Sequence, residues 1–556
     1  MENPNDIIVQ ERQLLEYKKK DDELIQGINN AIAQTMKVKA EKDKESKIRE
    51  EYWKHGTELS TLKKIHPKKA KTRVNRIWSN LLTIIPYWVN RTPEPTPVAP
   101  SLKNDQRERV IRALQNAWET DNDMKWITQK VVLHWLLYHI GVIKMRWNNE
   151  LKGIETTVVH PEKIGFDPKA TKMENCEYFW EILEDTAENI IKKFPKKKKQ
   201  IKELVRGELK TKLRYIEFWG GNGKWLAWKL GNIILDKKKN PNFDKKGLFK
   251  KPQFPYIILN CYNLGYSLYD DTGIIDQAIP LQDSLNKIER QILDLNEGQK
   301  RVWVASGEAI SKEDFQKVLN QTGDLGAYFG RKIPQGGLQL PLAGKPDASM
   351  FNDIEHLLGE IDNVMGVHAA LRGQYTPGMS KIGMRGYAMM INQDLAKDLI
   401  VSRIEQLAEN WFNMFIHLSL VYNSGDIKFN TPDETLLLTR DDIPLGLKIM
   451  VKKGSMLPID KASRADMAMK LAQMQMEAPA DVYNDLGYGD AETRLKHLDE
   501  FRQGQVVPTE NTQQGQQLQR LQKVLQSPEF QKMSPQEQQA IVQQGRQVVE
   551  AIKSNQ

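Results

Sequence analysis

Residues 279–295 read Ile279-Pro-Leu-Gln-Asp-Ser-Leu-Asn-Lys-Ile-Glu-Arg-Gln-Ile-Leu-Asp-Leu295. Leu281, Leu285, Ile288, Ile292 and Leu295 recur at spacings of 4, 3, 4 and 3, the signature of a helix with one narrow apolar stripe. The other faces carry Gln, Asp, Asn, Lys and Glu. Ile354, Leu358, Ile361, Met365 and His368 repeat this spacing on a second helix. Ile400, Ile404, Leu407, Trp411, Met414, Leu418 and Val421 continue it on a third, expected to begin near Gly386. That third helix would be roughly 55 Å long, too long for a small globular core. Rods with so narrow a stripe are expected to pack on other rods.

Outward from these rods the pattern changes. Between the first two lies a compact mixed insert, WVASGEAI, a short helix SKEDFQKVLN, then GAYFGRKIPQGGLQLPLAG. Between the second and third lies Arg372-Gly-Gln-Tyr-Thr-Pro-Gly-Met-Ser-Lys-Ile-Gly-Met-Arg-Gly386, whose four glycines and Pro377 exclude regular structure. Upstream, from 141 to 276, strands are expected. GVIKMRW and GIETTVVH form a hairpin, and YFWEIL, LRYIEFWG, KWLAWKL and NIILD follow, with Gly220–Gly223 as a tight turn and a helix near 185–194. Before them come a Lys/Glu-rich exposed helix in 1–70, an amphipathic helix from Arg73 stopped by Pro86, and extended chain at Thr92–Pro97. Two further helices follow, at 104–120 (capped by Asn104 or Asp105) and at 123–140 (capped by Asp123, ended by Gly141). After the third rod, DIKFN, TLLLT and LKIMVKK read as short strands and 456–504 as helical. The tail from 503 holds 17 glutamines in 54 residues, which favours weak helices ordered by assembly. The fold class is α+β, mainly helical.

Composition narrows the function. Two cysteines, 85 residues apart, exclude a disulfide scaffold and a paired-thiolate zinc site, and a reducing compartment is expected. The most apolar stretch, Trp126–Val142, is interrupted by Gln129, Lys130, His134 and His139, so no membrane span is expected. An acidic N-terminus with no apolar run after it gives no signal peptide. The formal charge of +9 permits nucleic-acid or acidic partners without specifying either.

Candidate chemistry is sparse. Gly220-Gly-Asn-Gly-Lys224 has the wrong spacing for a phosphate loop and Trp225 where Ser or Thr is needed; a hairpin turn is expected. Asp270, Asp271 and Asp276 are read as loop carboxylates in preference to a metal site. His134 and His139 point to different helix faces and are read as core or interface residues. No catalytic residue, metal site or cofactor is expected. Lys192–Arg214 holds 11 Lys/Arg against two Glu, and a second cluster is Lys237–Lys239 with Lys245, Lys246, Lys250 and Lys251. These are read first as a solvated face, with phosphate contact as the alternative. In the glycine-rich segment Arg372, Lys381 and Arg385 have no acid among them, and a helix hinge or a sequence-independent phosphate contact both fit.

The order of segments resembles the portal protein of tailed bacteriophages over about residues 73–505. The resemblance rests on five pieces: the N-terminal helix leading to Asn90-Arg-Thr-Pro-Glu-Pro; Val159-His-Pro-Glu-Lys-Ile-Gly-Phe-Asp-Pro168; Ile279-Pro-Leu-Gln-Asp-Ser-Leu-Asn286; Ile361–Gly373 followed by Ser380–Tyr387; and Gly454-Ser-Met-Leu-Pro-Ile-Asp-Lys461. Two features depart from it, the heavy lysine content of 192–214 and the basic overall charge.

The resemblance implies a ring of usually twelve subunits at one capsid vertex, in the virion and, during assembly, in the host cytoplasm. Double-stranded DNA enters and leaves through its channel. It implies a wing (1–276), a first stem helix (277–302), a clip (303–345) and a second stem helix (346–371). A tunnel loop (372–386), a long kinked spine helix of the wing (387–424), wing strands (425–455), a helical crown (456–504) and a tail (505–556) complete it. Leu281, Leu285, Ile288, Ile292, Ile354, Leu358 and Ile361 would form the stem's subunit interface, and its polar faces would line the channel. Arg372, Lys381 and Arg385 of the tunnel loop would approach DNA phosphates, and Met384 would belong to an apolar collar. The implied partners are the terminase large subunit, the major capsid and scaffolding proteins, and head-completion, adaptor and tail proteins. The alternatives are a nucleic-acid-binding enzyme subunit, which lacks a recognisable site here, and a peripheral membrane protein.

Overall fold

In the computed structural model the Lys/Glu-rich start forms one helix, α1 (Pro4–His55), about 78 Å long at 1.5 Å per residue. The structure describes residues 4–452, except 67–68, 90–91, 100–101, 245–246, 299–301, 308–309, 323–324, 330–345, 368–394, 423–425, 431–434, 440–442 and 445. All of these fall in one compact unit, Met1–Pro458. The expected exposed helix has a buried face, but a mixed one. Ile28, Thr35, Lys39, Ser46, Arg49 and Tyr52 are all buried, so apolarity alone understates it.

Helices α2 (Leu59–Lys64) and α3 (Arg76–Trp88) follow. Asn75 caps α3, its Oδ1 accepting from Trp78 N at 2.9 Å. Pro86 does not stop this helix, which continues to a buried Trp88. The proline removes only the bond to the Leu82 carbonyl, and Leu82 is exposed, so water can replace it. Next come β1 (Pro95–Val98), α4 (Asn104–Asn116) with a π-turn over Ala117–Asp121, and α5 (Met124–Tyr138). The expected caps differ. Lys103 precedes α4, Asp123 makes no side-chain cap, and α5 ends on His139 in the left-handed region at φ 61°. Gly141 opens the next strand; a Cβ there would lie 2.3 Å from the Val131 carbonyl oxygen.

The hairpin β2 (Gly141–Asn148) and β3 (Gly153–Val159) forms as expected and is joined by β9 (Tyr256–Leu259) in the order β3-β2-β9. A second, antiparallel sheet runs β4 (Ile164–Phe166), β5 (Phe179–Thr186), β6 (Lys212–Gly220), β7 (Trp225–Leu230) and β8 (Ile233–Lys239). Short helices α6 (Ala187–Lys193) and α7 (Lys198–Leu204) lie between β5 and β6. Val142, Val159, Phe166, Phe179, Trp219 and Tyr256 fill the space between the two sheets. α1 covers the far face of the larger sheet through Ile28, against Trp180, Phe218 and Ile234.

The first rod is α8 (Ile274–Gly298) and the second α10 (Ala348–Met365). Between them stand β10 (Val302–Ser306), α9 (Lys312–Thr322) and β11 (Leu325–Phe329), with β10 and β11 parallel. The third rod, α11 (Leu395–Tyr422), differs from its expected narrow stripe. Val401, Ala408, Phe412, Phe415 and Ile416 are buried besides the stripe residues, which makes it the central helix of the main core. Strands β12 (Asp426–Asn430), β13 (Thr435–Thr439) and β14 (Lys448–Val451) follow, and β14 pairs with β1. Within the described residues no helix is long and apolar enough to cross a membrane.

Candidate functional site: a helix pair latched by its own chain

An α-helix brings residues i and i+4 to one face about 6 Å apart, nearly the advance of two residues of extended chain. α8 exploits this match along the segment Ala70–Arg76. Gln282 Oε1 accepts from Arg76 N at 3.1 Å, and its amide donates to the Val74 carbonyl. Asn286 accepts from Val74 N at 3.0 Å and donates to the Gly56 carbonyl at 2.7 Å. Arg290 Nε donates to the Thr72 carbonyl at 3.1 Å, and Asp294 accepts from Ala70 N at 2.8 Å. Side chains at 282, 286, 290 and 294 thus serve backbone groups at 76, 74, 72 and 70. Gln282 and Asn286 are fully buried. Sequence reading assigned this polar face to a hydrated channel; its inner half is instead a latch that binds the chain to itself. Replacing Asn286 by Leu is expected to lower stability by roughly 2–4 kcal/mol, since a buried and a half-buried backbone group lose their partners. Urea unfolding measures it, and a loss below about 1 kcal/mol would contradict the latch.

α10 is held beside α8 from the same region. Arg76 makes a two-point contact with Asp362, at 2.9 Å and 2.6 Å, and Asn80 Nδ2 donates to Asp362 at 3.1 Å. Burial pushes the Asp362 carboxyl up even with these partners. Gln282, near the start of α8, and Asp362, near the end of α10, both meet residues 74–80, so the two helices run antiparallel.

The stripe residues accordingly pack within the chain. Leu285, Ile292 and Ile361 are buried, and Leu281, Ile288, Ile354 and Leu358 are half-buried. Leu285 and Ile361 share the main core with Ile77, Leu81 and Met365. Leu281, Ile354 and Leu358 pack against that core. Among the described residues, the large apolar side chains left exposed on the pair are Leu293, Phe351 and Val364. Arg372, Lys381, Met384 and Arg385 lie outside the described residues, as do the crown (456–504) and the tail (505–556).

A buried ionic network, not anticipated from sequence, joins the two sheets. Glu181 and Glu217 stand directly opposite each other on β5 and β6, an arrangement that is unfavourable alone. Lys144 Nζ from β2 lies 2.6 Å from Glu181 and 2.8 Å from Glu217. Tyr256 OH is 2.8 Å and 3.1 Å from the same carboxylates, and Trp219 and Trp228 donate to Glu217 at 2.9 Å and 3.2 Å. Burial pushes the Glu217 carboxyl up, but Lys144 and the indole and phenol donors more than offset it and hold it below the ordinary carboxylate range. Burial lowers the Lys144 ammonium, and the two glutamates outweigh that and raise it.

The remaining candidates resolve into structure. Gly220–Trp225 is the β6–β7 turn, with Gly221, Asn222 and Gly223 all at positive φ. Asp271 accepts from Trp135 Nε1 and Cys261 N, both at 2.9 Å. Asp276 pairs with Arg49 at 2.9 Å and His139 at 2.8 Å, and Arg49 also donates to the Leu137 carbonyl at 2.6 Å, tying α1 to α5 and α8. His134 packs against His160 and Tyr138, and burial lowers its pKa to about 4. Among the described residues no group of His, Cys, Asp and Glu could hold a metal. Cys176 and Cys261 are buried and unpaired, and burial pushes the Cys176 thiol up to about 12.

No protein-family model matches the sequence, and no curated protein does either. Among solved structures, one similar chain belongs to the neck of an empty gene transfer agent particle computed with C6 symmetry. It is 10% identical, with a TM-score of 0.38 over 74% of this chain and 90% of that one. Another belongs to the virion of a native gene transfer agent particle, at 12% identity and a TM-score of 0.36 over 77% and 98% of the two chains. At TM-scores below 0.5 neither likeness bears on what this chain does.

Proposed function

We propose that the chain is a portal protein: one subunit of a closed ring, of about twelve copies, at a capsid vertex, through which double-stranded DNA is packaged and ejected. The observation that carries this reading is the α8–α10 pair. Two antiparallel helices, interrupted by a small β10–α9–β11 insert and latched at one end to an α+β body, make a preassembled stave with an insert at its far end. This is the order in which the portal resemblance sets wing, stem and clip. Leu293, Phe351 and Val364 are the apolar contacts a neighbouring stave would cover, and one heterologous contact repeated by rotation closes a ring. In this reading Arg372, Lys381 and Arg385 meet DNA phosphates, and a terminase supplies the ATP-driven motion. Capsid, scaffolding, adaptor and tail proteins dock around the ring, and the chain itself catalyses nothing. The test is assembly of particles without this chain: shells are expected to form empty of DNA. Shells that fill with DNA in its absence would overturn the reading.

A further inference from the structure

Charge is distributed unevenly in this protein. Residues 184–214 and 236–239 carry fourteen Lys and Arg against six carboxylates, a net +8, whereas the whole chain carries +9. Nearly all of the excess therefore resides in 35 residues: residues 184–214 gather at the end of the five-stranded sheet where Thr186 pairs with Lys212, and Lys237–Lys239 lie toward its other end, where Lys239 pairs with Trp225. The fold brings Lys238 from the second segment to the first. α6 and α7 pack through Ile190, Ile201 and Val205 on the face of the sheet that holds Tyr215, Leu230 and Leu235. Phe194, at the end of α6, packs on Trp228 with ring centroids 5.4 Å apart, and Lys238 of β8 sits 4.6 Å over the same indole. Lys238 and the lysines after Phe194 thus share one surface, although they are some 40 residues apart in sequence.

Half of the six acids are paired with cluster cations. Glu184 pairs with Arg214, Asp185 with Lys193 and Glu188 with Lys192. Lys196, Lys198, Lys199, Lys202, Lys210 and Lys212 are exposed. The cluster's aromatic rings, Phe194, Tyr215 and Trp228, are packed under it, and Leu204 is the large apolar side chain left exposed there.

We propose that this α6–α7–β8 lysine face, brought together around Trp228, binds the phosphate backbone of duplex nucleic acid without regard to base sequence. The chemistry favours that partner over an acidic protein for two reasons. A protein interface gains most of its energy from buried aromatic or arginine anchors, and this cluster has its rings turned inward and, in residues 184–214 with Lys238, ten lysines to two arginines. Lysine acts as a mobile point charge, suited to exchangeable phosphate contacts and not to bidentate readout. With no exposed ring to stack on, single strands gain nothing over a duplex. The inference concerns the sheet alone and does not rest on the portal reading.

The test uses the full chain, a 30-base-pair duplex of arbitrary sequence, and the variant Lys196→Gln/Lys198→Gln/Lys199→Gln/Lys202→Gln. All four side chains are exposed, so folding should be unchanged by circular dichroism. Wild-type binding should fall steeply with salt. The variant should bind roughly tenfold or more weakly near 0.1 M salt, with the slope of log K against log salt reduced by about 2 to 4. Should the variant fold poorly, acetylation footprinting of the wild-type chain gives the same answer, with these lysines protected by duplex DNA. Unchanged affinity and slope in a folded variant, or no protection in the footprint, would overturn the proposal. So would polyglutamate of matched charge binding as tightly as DNA, which would assign the face to an acidic protein.

Discussion

Leu285→Asp is expected to abolish the folded chain. Leu285 is fully buried in the cluster that includes Ile77, Leu81 and Ile361, and a carboxylate there would have neither water nor a cation. Truncation to Ala alone should remove about 2–5 kcal/mol, and an unpaired buried charge costs more. Because the covering helices belong to the same chain, the loss should be independent of protein concentration. Urea midpoints of Leu285→Ala at widely separated concentrations check this. A loss that appears only on dilution would put the stripe back at a contact between subunits.

Lys144→Met should be the second large effect, about 3–5 kcal/mol, because it leaves Glu181 and Glu217 buried and facing each other without their shared cation. The pH dependence distinguishes this from simple loss of packing. In the wild type, Glu217 titrates below the ordinary carboxylate range. Its contribution is therefore fully present above the unfolded carboxylate pKa and is lost as pH falls through the lower folded value. Without Lys144 the same carboxyl titrates upward, since burial then dominates, and the variant avoids part of its penalty by taking up a proton. The gap between variant and wild type should narrow as pH falls toward the carboxylate range. Adding Glu217→Gln to Lys144→Met should also recover part of the loss. A pH-independent difference below about 1 kcal/mol would mean that the network contributes little.

What could be read from the residues alone has a physical pattern. Alternation in GVIKMRW and GIETTVVH specified a hairpin because a period of two has one structural meaning. The stripe from Leu281 to Leu295 specified a helix for the same reason. Neither states what covers the buried face. Gln282 and Asn286 have the same chemistry facing water as facing the Val74 and Gly56 backbone, so the latch was invisible. The only available sign was the regular i+4 spacing of polar residues 282, 286, 290 and 294 beside an apolar row. Residues 70, 72 and 74 give no sign of it, because α8 engages their backbone and not their side chains. The 4-3 spacing along α11 specifies one stripe, but Phe412, Phe415 and Ile416 lie off it and are buried too, so the helix is enclosed on most sides. Lys144, Glu181 and Glu217 come from three strands separated by up to 73 residues, and no local pattern brings such a triad together.

The account depends on identical chains closing into a ring around a channel. Negative-stain imaging of the purified full-length protein across a wide concentration range tests that most directly. Closed rings of about twelve subunits with a central hole are the expected result; monomers or dimers alone at every concentration would contradict it.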